Sequence, residues 1–215
     1  AEMIEFVARL RELCGGKPVG IKLCVGRRTD FLSMCKAMIE VGTAPDFVTV
    51  DGGEGGTGAA PLEFANAVGM PARDGWAFTH NALVGSGLRD DIKIIASGKI
   101  MTGFHMIRAL ALGADLCNSA RGMMLALGCI QALRCNNDTC PTGVATQNKA
   151  LYNALVVKDK APRVHRFHEA TIESLLELLS AIGVSRPEDI TPDLVYRRVS
   201  DRHIMSFDEL YEFIP

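Results

Sequence analysis

Four short apolar runs, residues 19–24, 47–50, 92–96 and 115–118, are rich in β-branched side chains, and each is followed by Gly, Ser or Asp and then by a helical pattern. Runs that stay apolar instead of alternating belong to parallel strands covered on both faces, so the pattern predicts a βα unit repeated four times. Thr29-Asp30 precedes a helix predicted over 31–41, Thr102 opens another over 105–112, and Gly113 closes it. The stretch 61–87, interrupted by Gly-Met-Pro at 69–71, is expected to form two helices. Further on, Val164, Phe167, Ile172, Leu175, Leu176, Leu179 and Ile182 recur at helical spacing up to a stop at Gly183, and Ser185-Arg-Pro-Glu and Thr191-Pro-Asp suggest two more helix starts.

A complete (β/α)8 barrel needs eight strands and typically about 250 residues. With four strand signals in 215 residues, the expected fold class is α/β, the C-terminal half of a TIM barrel followed by a helical appendix. Residues 1–160 would form the half barrel, including a cysteine segment at 128–147, and residues 161–215 a helical C-terminal extension. Phosphate loops of such barrels usually follow strands 7 and 8. The last two runs end in Ala96-Ser97-Gly98 and Asn118-Ser119-Ala120-Arg121, which registers the four as strands 5 to 8. A half barrel exposes sheet edges, so pairing with a missing N-terminal half or a second copy is expected. The start at Ala1 agrees with a downstream portion of a longer protein.

Apolar content of 48% and charged content of 22% are ordinary for a globular domain, and a net charge of −2 gives no footprint for nucleic acid or an anionic membrane. No apolar run approaches the roughly 20 residues of a membrane span, and no signal-peptide pattern is present, so a cytoplasmic location is expected.

Cys129, Cys135 and Cys140 stand in Cys-x5-Cys-x4-Cys, with Pro141 next. Three thiolates this close, with no nearby His to complete a tetrahedral zinc site, suit an iron–sulfur cluster of three irons, and zinc is the alternative. A disulfide framework fits poorly because the seven cysteines are odd in number and scattered. Cys14, Cys24, Cys35 and Cys117 lack ligand spacing and read as small apolar residues.

The run Gly-Cys-x5-Cys-x4-Cys-Pro-x-Gly-Val-Ala-Thr-Gln resembles the cluster-binding segment in the FMN-binding domain of glutamate synthase. The resemblance extends from about residue 18 to about residue 200, through Gly-Ile-Lys-Leu at 20–23, the loop Asp-Gly-Gly-Glu-Gly-Gly-Thr-Gly-Ala-Ala-Pro at 51–61, Thr79-His80, Ser97-Gly98 and Thr102-Gly103. It implies FMN and a [3Fe-4S] cluster as cofactors. It also implies an electron donor such as ferredoxin or NAD(P)H, and a small carboxylate substrate, a 2-iminoglutarate that is reduced to L-glutamate.

Lys22 lies between Ile21 and Leu23, so alternation points it away from the helices, near the end where barrel active sites lie. There its ammonium would stabilise the charge that gathers on reduced flavin, a role the resemblance shares and that would make it catalytic as well as cofactor-binding. The alternative is an ion pair with an acidic neighbour inside the barrel. Asp51, Gly52 and Gly53 open a loop with five glycines in eight residues, suited to close approach to a flat ring, with Glu54 as its other acid. Ser97, Gly98 and Lys99 after the third run, and Ser119, Ala120 and Arg121 after the fourth, would receive the FMN phosphate. His80, His105, His165 and His168 read as ordinary polar residues.

The chain departs from the synthase pattern in two places. The loop begins Asp-Gly-Gly-Glu where the family has Gly-His-Asp, and Lys22 is followed by Leu-Cys-Val-Gly-Arg-Arg-Thr-Asp where the family has Ser-Glu and glycines. Arg27 and Arg28 offer recognition of a different carboxylate. The competing readings are a non-catalytic, cluster-bearing electron-transfer or assembly subunit that docks on an FMN-bearing partner and, with zinc in the cysteines, a phosphosugar lyase or isomerase.

Overall fold

The structure is a computed structural model that describes residues 1–55 and 63–215. The end of the glycine loop, residues 56–62, lies outside the described residues. Four strands, β1 (Gly20–Cys24), β2 (Phe47–Asp51), β3 (Lys93–Ser97) and β4 (Leu116–Asn118), form one parallel sheet in the order β1-β2-β3-β4. Each strand lies within one or two residues of its apolar run. Helices α2 (Arg28–Val41), α3 (Ala72–Gly85) and α4 (Gly103–Ala111) connect successive strands, as parallel pairing requires.

The register explains the burial. Ile21, Val48 and Ile94 are aligned, and so are Leu23, Val50 and Ala96. This face packs against Phe31, Cys35, Trp76, Leu83, Ile107 and Leu112, and Val48, Val50, Ile94 and Ala96 have no exposed surface. Burying one such side chain contributes about 1.5–3 kcal/mol. On the opposite face, Lys22, Thr49, Ile95 and Leu116 form one row, while Cys24, Asp51, Ser97 and Asn118 form the next.

Two expectations need correcting. Within 61–87, only α3 is found among the described residues, and it starts at Ala72 with Pro71 as its N-cap. Gly69 has φ +98 and the Met70 N–H donates to the Val25 carbonyl, while Pro71 disfavours helical backbone before it, so an earlier helix cannot run into α3. The C-terminal extension is not wholly helical. After the long helix α7 (Val157–Ile182) and two single 3-10 turns (Pro187–Asp189 and Pro192–Leu194), β5 (Tyr196–Ser200) pairs antiparallel with β6 (His203–Ser206). Tyr196 and Val199 favour a strand, and Asp201-Arg202 turns the chain between the two. The one-turn helix α8 (Phe207–Leu210) follows, opened by a capping box between Ser206 and Glu209.

Helix α1 (Glu2–Leu13) buries Ile4 and Val7, and its Arg11 reaches Asp46 at 2.9 Å. Short helices α5 (Arg121–Leu127) and α6 (Lys149–Tyr152) bracket the cysteine segment, and α7 packs on both α4 and α5. No helix among the described residues is long and apolar enough to cross a membrane.

Candidate functional site

The carboxyl ends of the four strands carry the residues singled out from the sequence. Lys22 extends from β1 across the open face, and its Nζ lies 2.8 Å from the Asp51 carboxylate at the end of β2. The Lys22 side chain is 60% exposed, so the pair holds the ammonium in place at a contribution of about 0–1 kcal/mol. A shallow cleft of about 350 Å³ opens here, lined by Lys22, Cys24, Asp51, Gly52, Gly53 and Phe64 among others. Burial first, then the carboxylates of Asp51 and Glu54, push the Cys24 thiol up, so Cys24 stays neutral beside them.

Gly52 and Gly53 are needed for packing within the protein. A Cβ on Gly52 would come 2.6 Å from the Ala72 nitrogen, and one on Gly53 would come 2.7 Å from the Gly69 carbonyl oxygen. The Gly53 N–H donates to Met70 O at 2.8 Å, which fixes the start of the loop against the entry to α3. Pro71 offers α3 no side-chain cap; the Glu54 carboxylate fills that role by accepting the Ala72 N–H at 2.9 and 3.2 Å.

The loop after β3 lies directly alongside. Gly98 has φ +129, and its Cβ position is 3.0 Å from the Ala72 methyl and 3.7 Å from Asp51 Oδ1. Lys99, also at positive φ (54°), places its Nζ 3.2 Å from Asn66 Oδ1. Ser119 Oγ donates to the Ile100 carbonyl at 2.7 Å and ties the β4 loop to the β3 loop. Ala120 is the N-cap of α5, and Arg121 is its first residue. Lys22, Asp51, Gly52, Gly53, Ser97, Gly98, Lys99, Ser119, Ala120 and Arg121 therefore share one end of the sheet, with each of the four loops tied to its neighbour. Their chemistry, two lysines and an arginine beside tightly turned backbone, fits an anionic phosphate and an electron-rich ring.

The cysteine segment follows α5. All seven cysteines are free, and among the described residues no three His, Cys, Asp or Glu side chains gather at metal-binding spacing. Cys129, Cys135 and Cys140 are thus not drawn together in this structure. The donor chemistry nevertheless suits thiolate ligation at Cys140, which is buried, and whose sulfur faces Thr142 Oγ1 at 3.5 Å. The Thr142 hydroxyl first, with the backbone N–H groups of Ala145, Thr142 and Val144, outweighs burial and holds the thiol down to about 7. Cys129 Sγ accepts the Gln131 N–H at 3.4 Å, and Asp138 accepts the Gln147 N–H at 2.6 Å, closing the loop on itself.

His80 sits at the other end of the strands. The Arg89 Nε–H donates to its Nδ1 at 3.2 Å, and Arg89 also binds Asp115 at 2.9 Å. Burial and then Arg89 lower the His80 pKa, so it is a neutral member of a structural network. The sequence reading missed Asn66, which touches Lys99, and Arg73 and Arg108, which face a second cleft; none carries a spacing signal, because their positions depend on loop packing.

Residues 1–185 match the conserved region in glutamate synthase. This chain belongs to the glutamate synthase family. It is 42% identical over 99% of its length to the glutamate synthase large subunit-like protein YerD of Bacillus subtilis (strain 168), covering 41% of that protein. It is 34% identical over 88% of its length to the archaeal glutamate synthase [NADPH] of Methanocaldococcus jannaschii, covering 36% of that protein. The chain thus spans about two fifths of the length of these glutamate synthase relatives. Among solved structures it shares its fold with flavocytochrome b2 with pyruvate bound, at a TM-score of 0.53 and 17% identity over 87% of this chain and 37% of that one.

Proposed function

We propose that this chain is the flavin- and cluster-bearing portion of a glutamate synthase-like oxidoreductase, corresponding to the second half of a (β/α)8 barrel with its C-terminal extension. The observation that carries the reading is that Lys22 and the loops of Gly98 and Ser119 share one end of the parallel sheet; the 2.8 Å Lys22–Asp51 ion pair is by itself the alternative arrangement that the sequence allowed. Bound FMN would supply two-electron transfer to an imine or a related carboxylate acceptor. Asp51 orients the Lys22 ammonium toward the open face, where it stabilises negative charge in a partly enclosed site. Ser97, Gly98, Lys99, Ser119, Ala120 and Arg121 bind the FMN phosphate, with Arg121 offering a planar fork of donors. Gly52 and Gly53 keep the loop flat against residues 68–72 so that nothing intrudes on the cleft.

Cys129, Cys135 and Cys140 hold a [3Fe-4S] cluster in this reading. The support is their spacing together with the thiolate-favouring surroundings of Cys140; the ligand set closes when the metal is bound. Electrons come from a donor such as ferredoxin or NAD(P)H, and the product is L-glutamate. The rest of the pocket comes from the N-terminal half of the barrel or from a second copy.

An anaerobic ultraviolet–visible spectrum, with iron, acid-labile sulfide and flavin quantified on the same sample, tests the proposal. About three irons per chain together with flavin are expected. Iron and sulfide without flavin would favour the cluster-bearing subunit that docks on an FMN-bearing partner. Zinc without sulfide would remove the redox reading.

A further inference from the structure

The charges of α7 are divided along its length. Residues 157–168 carry Lys158, Lys160, Arg163 and Arg166 against one acid, Asp159, whereas residues 169–182 carry Glu169, Glu173 and Glu177 and no Lys or Arg. With Arg134 and Lys149, residues 128–168 hold six Lys or Arg and two Asp, a formal charge of +4 in a chain whose total is −2. Among the described residues none of the six cations makes an ion pair, and residues 56–62 contain no acid. Asp138 is taken by the Gln147 N–H, and Asp159 stands in the first turn of α7, where a carboxylate suits the helix dipole. Lys158 and Lys160 oppose that dipole, and Lys160–Arg163 and Arg163–Arg166 are like charges at i,i+3, a spacing that weakens a helix.

Val157, Ala161, Val164 and His168 continue, at helical spacing, the stripe of α7 that is buried further along at Leu175 and Leu179. At Leu175 the start of α4 covers that stripe. In the first half the facing element is the short helix α5, and a groove of about 520 Å³ stays open between Met123 and Leu127 of α5, Leu155, and this face of α7. Val157 is 76% exposed, and Ile130, Leu133 and Val156 in the flanking segments are exposed as well. Lys160, His165 and His168 supply the polar lining, with His165 facing Glu169 at 3.2 Å. Lys160 Nζ and an Arg163 nitrogen lie 3.1 and 4.0 Å from where a Cβ on Gly128 would stand, beside the residue that precedes Cys129. None of the lining residues belongs to the strand-end site described above.

We propose that this groove docks an acidic partner protein, through an amphipathic helix that lays apolar side chains into the groove and sets its Asp and Glu against the surrounding cations. Charge complementarity selects the partner: the cations extend over three turns of α7 and into the cysteine segment, more than one small anion can answer, and a helix with anchors at i, i+3 and i+7 matches an apolar furrow between two helices. A bilayer is met by a protruding apolar face, whereas these apolar residues line a depression, which takes a ridge in return. The inference stands on α5 and α7 and does not depend on flavin or iron.

Fluorescence anisotropy with a labelled, acetylated peptide of about five helical turns, Leu at the anchor positions and Glu elsewhere, tests it on the full chain. Saturable binding is expected, weakening several-fold as salt rises past about 0.1 M, where the Debye length is about 10 Å. Lys160→Glu combined with Arg163→Glu should weaken binding about tenfold, and so should Val157→Asp, with circular dichroism and melting temperature kept at parent values. If the double variant does not fold, Val157→Asp, at an exposed position, decides. A peptide of the same charge with Ser in place of Leu should bind at least about tenfold more weakly, because the groove then takes no apolar side chain. Absence of saturable binding, equal binding of the Ser peptide, or affinity unchanged in the variants would overturn the proposal. So would tighter binding to phosphatidylglycerol vesicles than to the peptide, lost in the same variants, which would make the occupant a membrane surface.

Discussion

Cys140 and Cys117 have the same thiol and opposite ionisation, and the difference lies in what surrounds each sulfur. Burial pushes Cys117 up to about 12, whereas the Thr142 hydroxyl and three backbone N–H groups hold Cys140 down to about 7. In the metal-free protein, alkylation of Cys140 by iodoacetamide, followed by peptide mapping across pH, should show a midpoint near 7. Thr142→Val should raise that midpoint, and Cys117 should stay unreactive throughout. The sign for stability follows from a folded value below the ordinary thiol value of 9.0. The contribution of Cys140 is fully present above that ordinary value and is lost as pH falls through about 7. A midpoint unchanged by Thr142→Val would mean that the backbone amides alone set the ionisation.

At the scale of elements, α7 meets α4 at a point where a side chain cannot fit. A Cβ on Gly103 would lie 2.6 Å from the Leu175 nitrogen and 2.9 Å from the Ser174 carbonyl carbon, both backbone atoms of α7. Gly103 has no positive φ, so the glycine serves packing alone and not conformation. Gly103→Ala therefore forces the two helices apart and should cost about 1–3 kcal/mol, the usual penalty for overpacking. Thermal melts should show a loss of roughly 2–4 °C per kcal/mol for a chain of this size. The sequence showed the helical period of α7, including Leu175 and Leu179, but not its partner. Thr102-Gly103 stands in the sequence as part of a family motif; the backbone-to-backbone approach that requires the glycine is a long-range contact with no local pattern.

At the scale of the whole molecule, the four-stranded sheet ends in β1 on one side and β4 on the other, and the row on its face away from the helices includes Lys22 and Leu116, the latter 56% exposed. Parallel strands are normally covered on both faces. The proposal that another half barrel or a second copy covers this surface predicts that light scattering of the purified chain gives a mass above that of one chain. A monodisperse monomer with no other polypeptide in the sample would count against it. Leu116→Lys, which places a charge on the uncovered row, should shift any such assembly toward monomer without changing the melt of the monomer itself.

The sequence by itself determined the four strands, the order of βα units, the long helix and the family, because apolar runs, helical period and motif spacing are local and are written in consecutive residues. It also pointed to the end of the sheet where Lys22, Asp51, Gly98 and Ser119 meet, since loops after parallel strands share that end. Only the tertiary structure decided that 72–85 forms one helix behind Pro71, that the tail folds back as a hairpin, and that Glu54 caps a helix. The same holds for Arg73, His105 and Arg108, which come from two helices and converge on one cleft. These outcomes depend on which backbone groups and charges lie next to one another after folding, and residues distant along the chain carry no shared period to announce it.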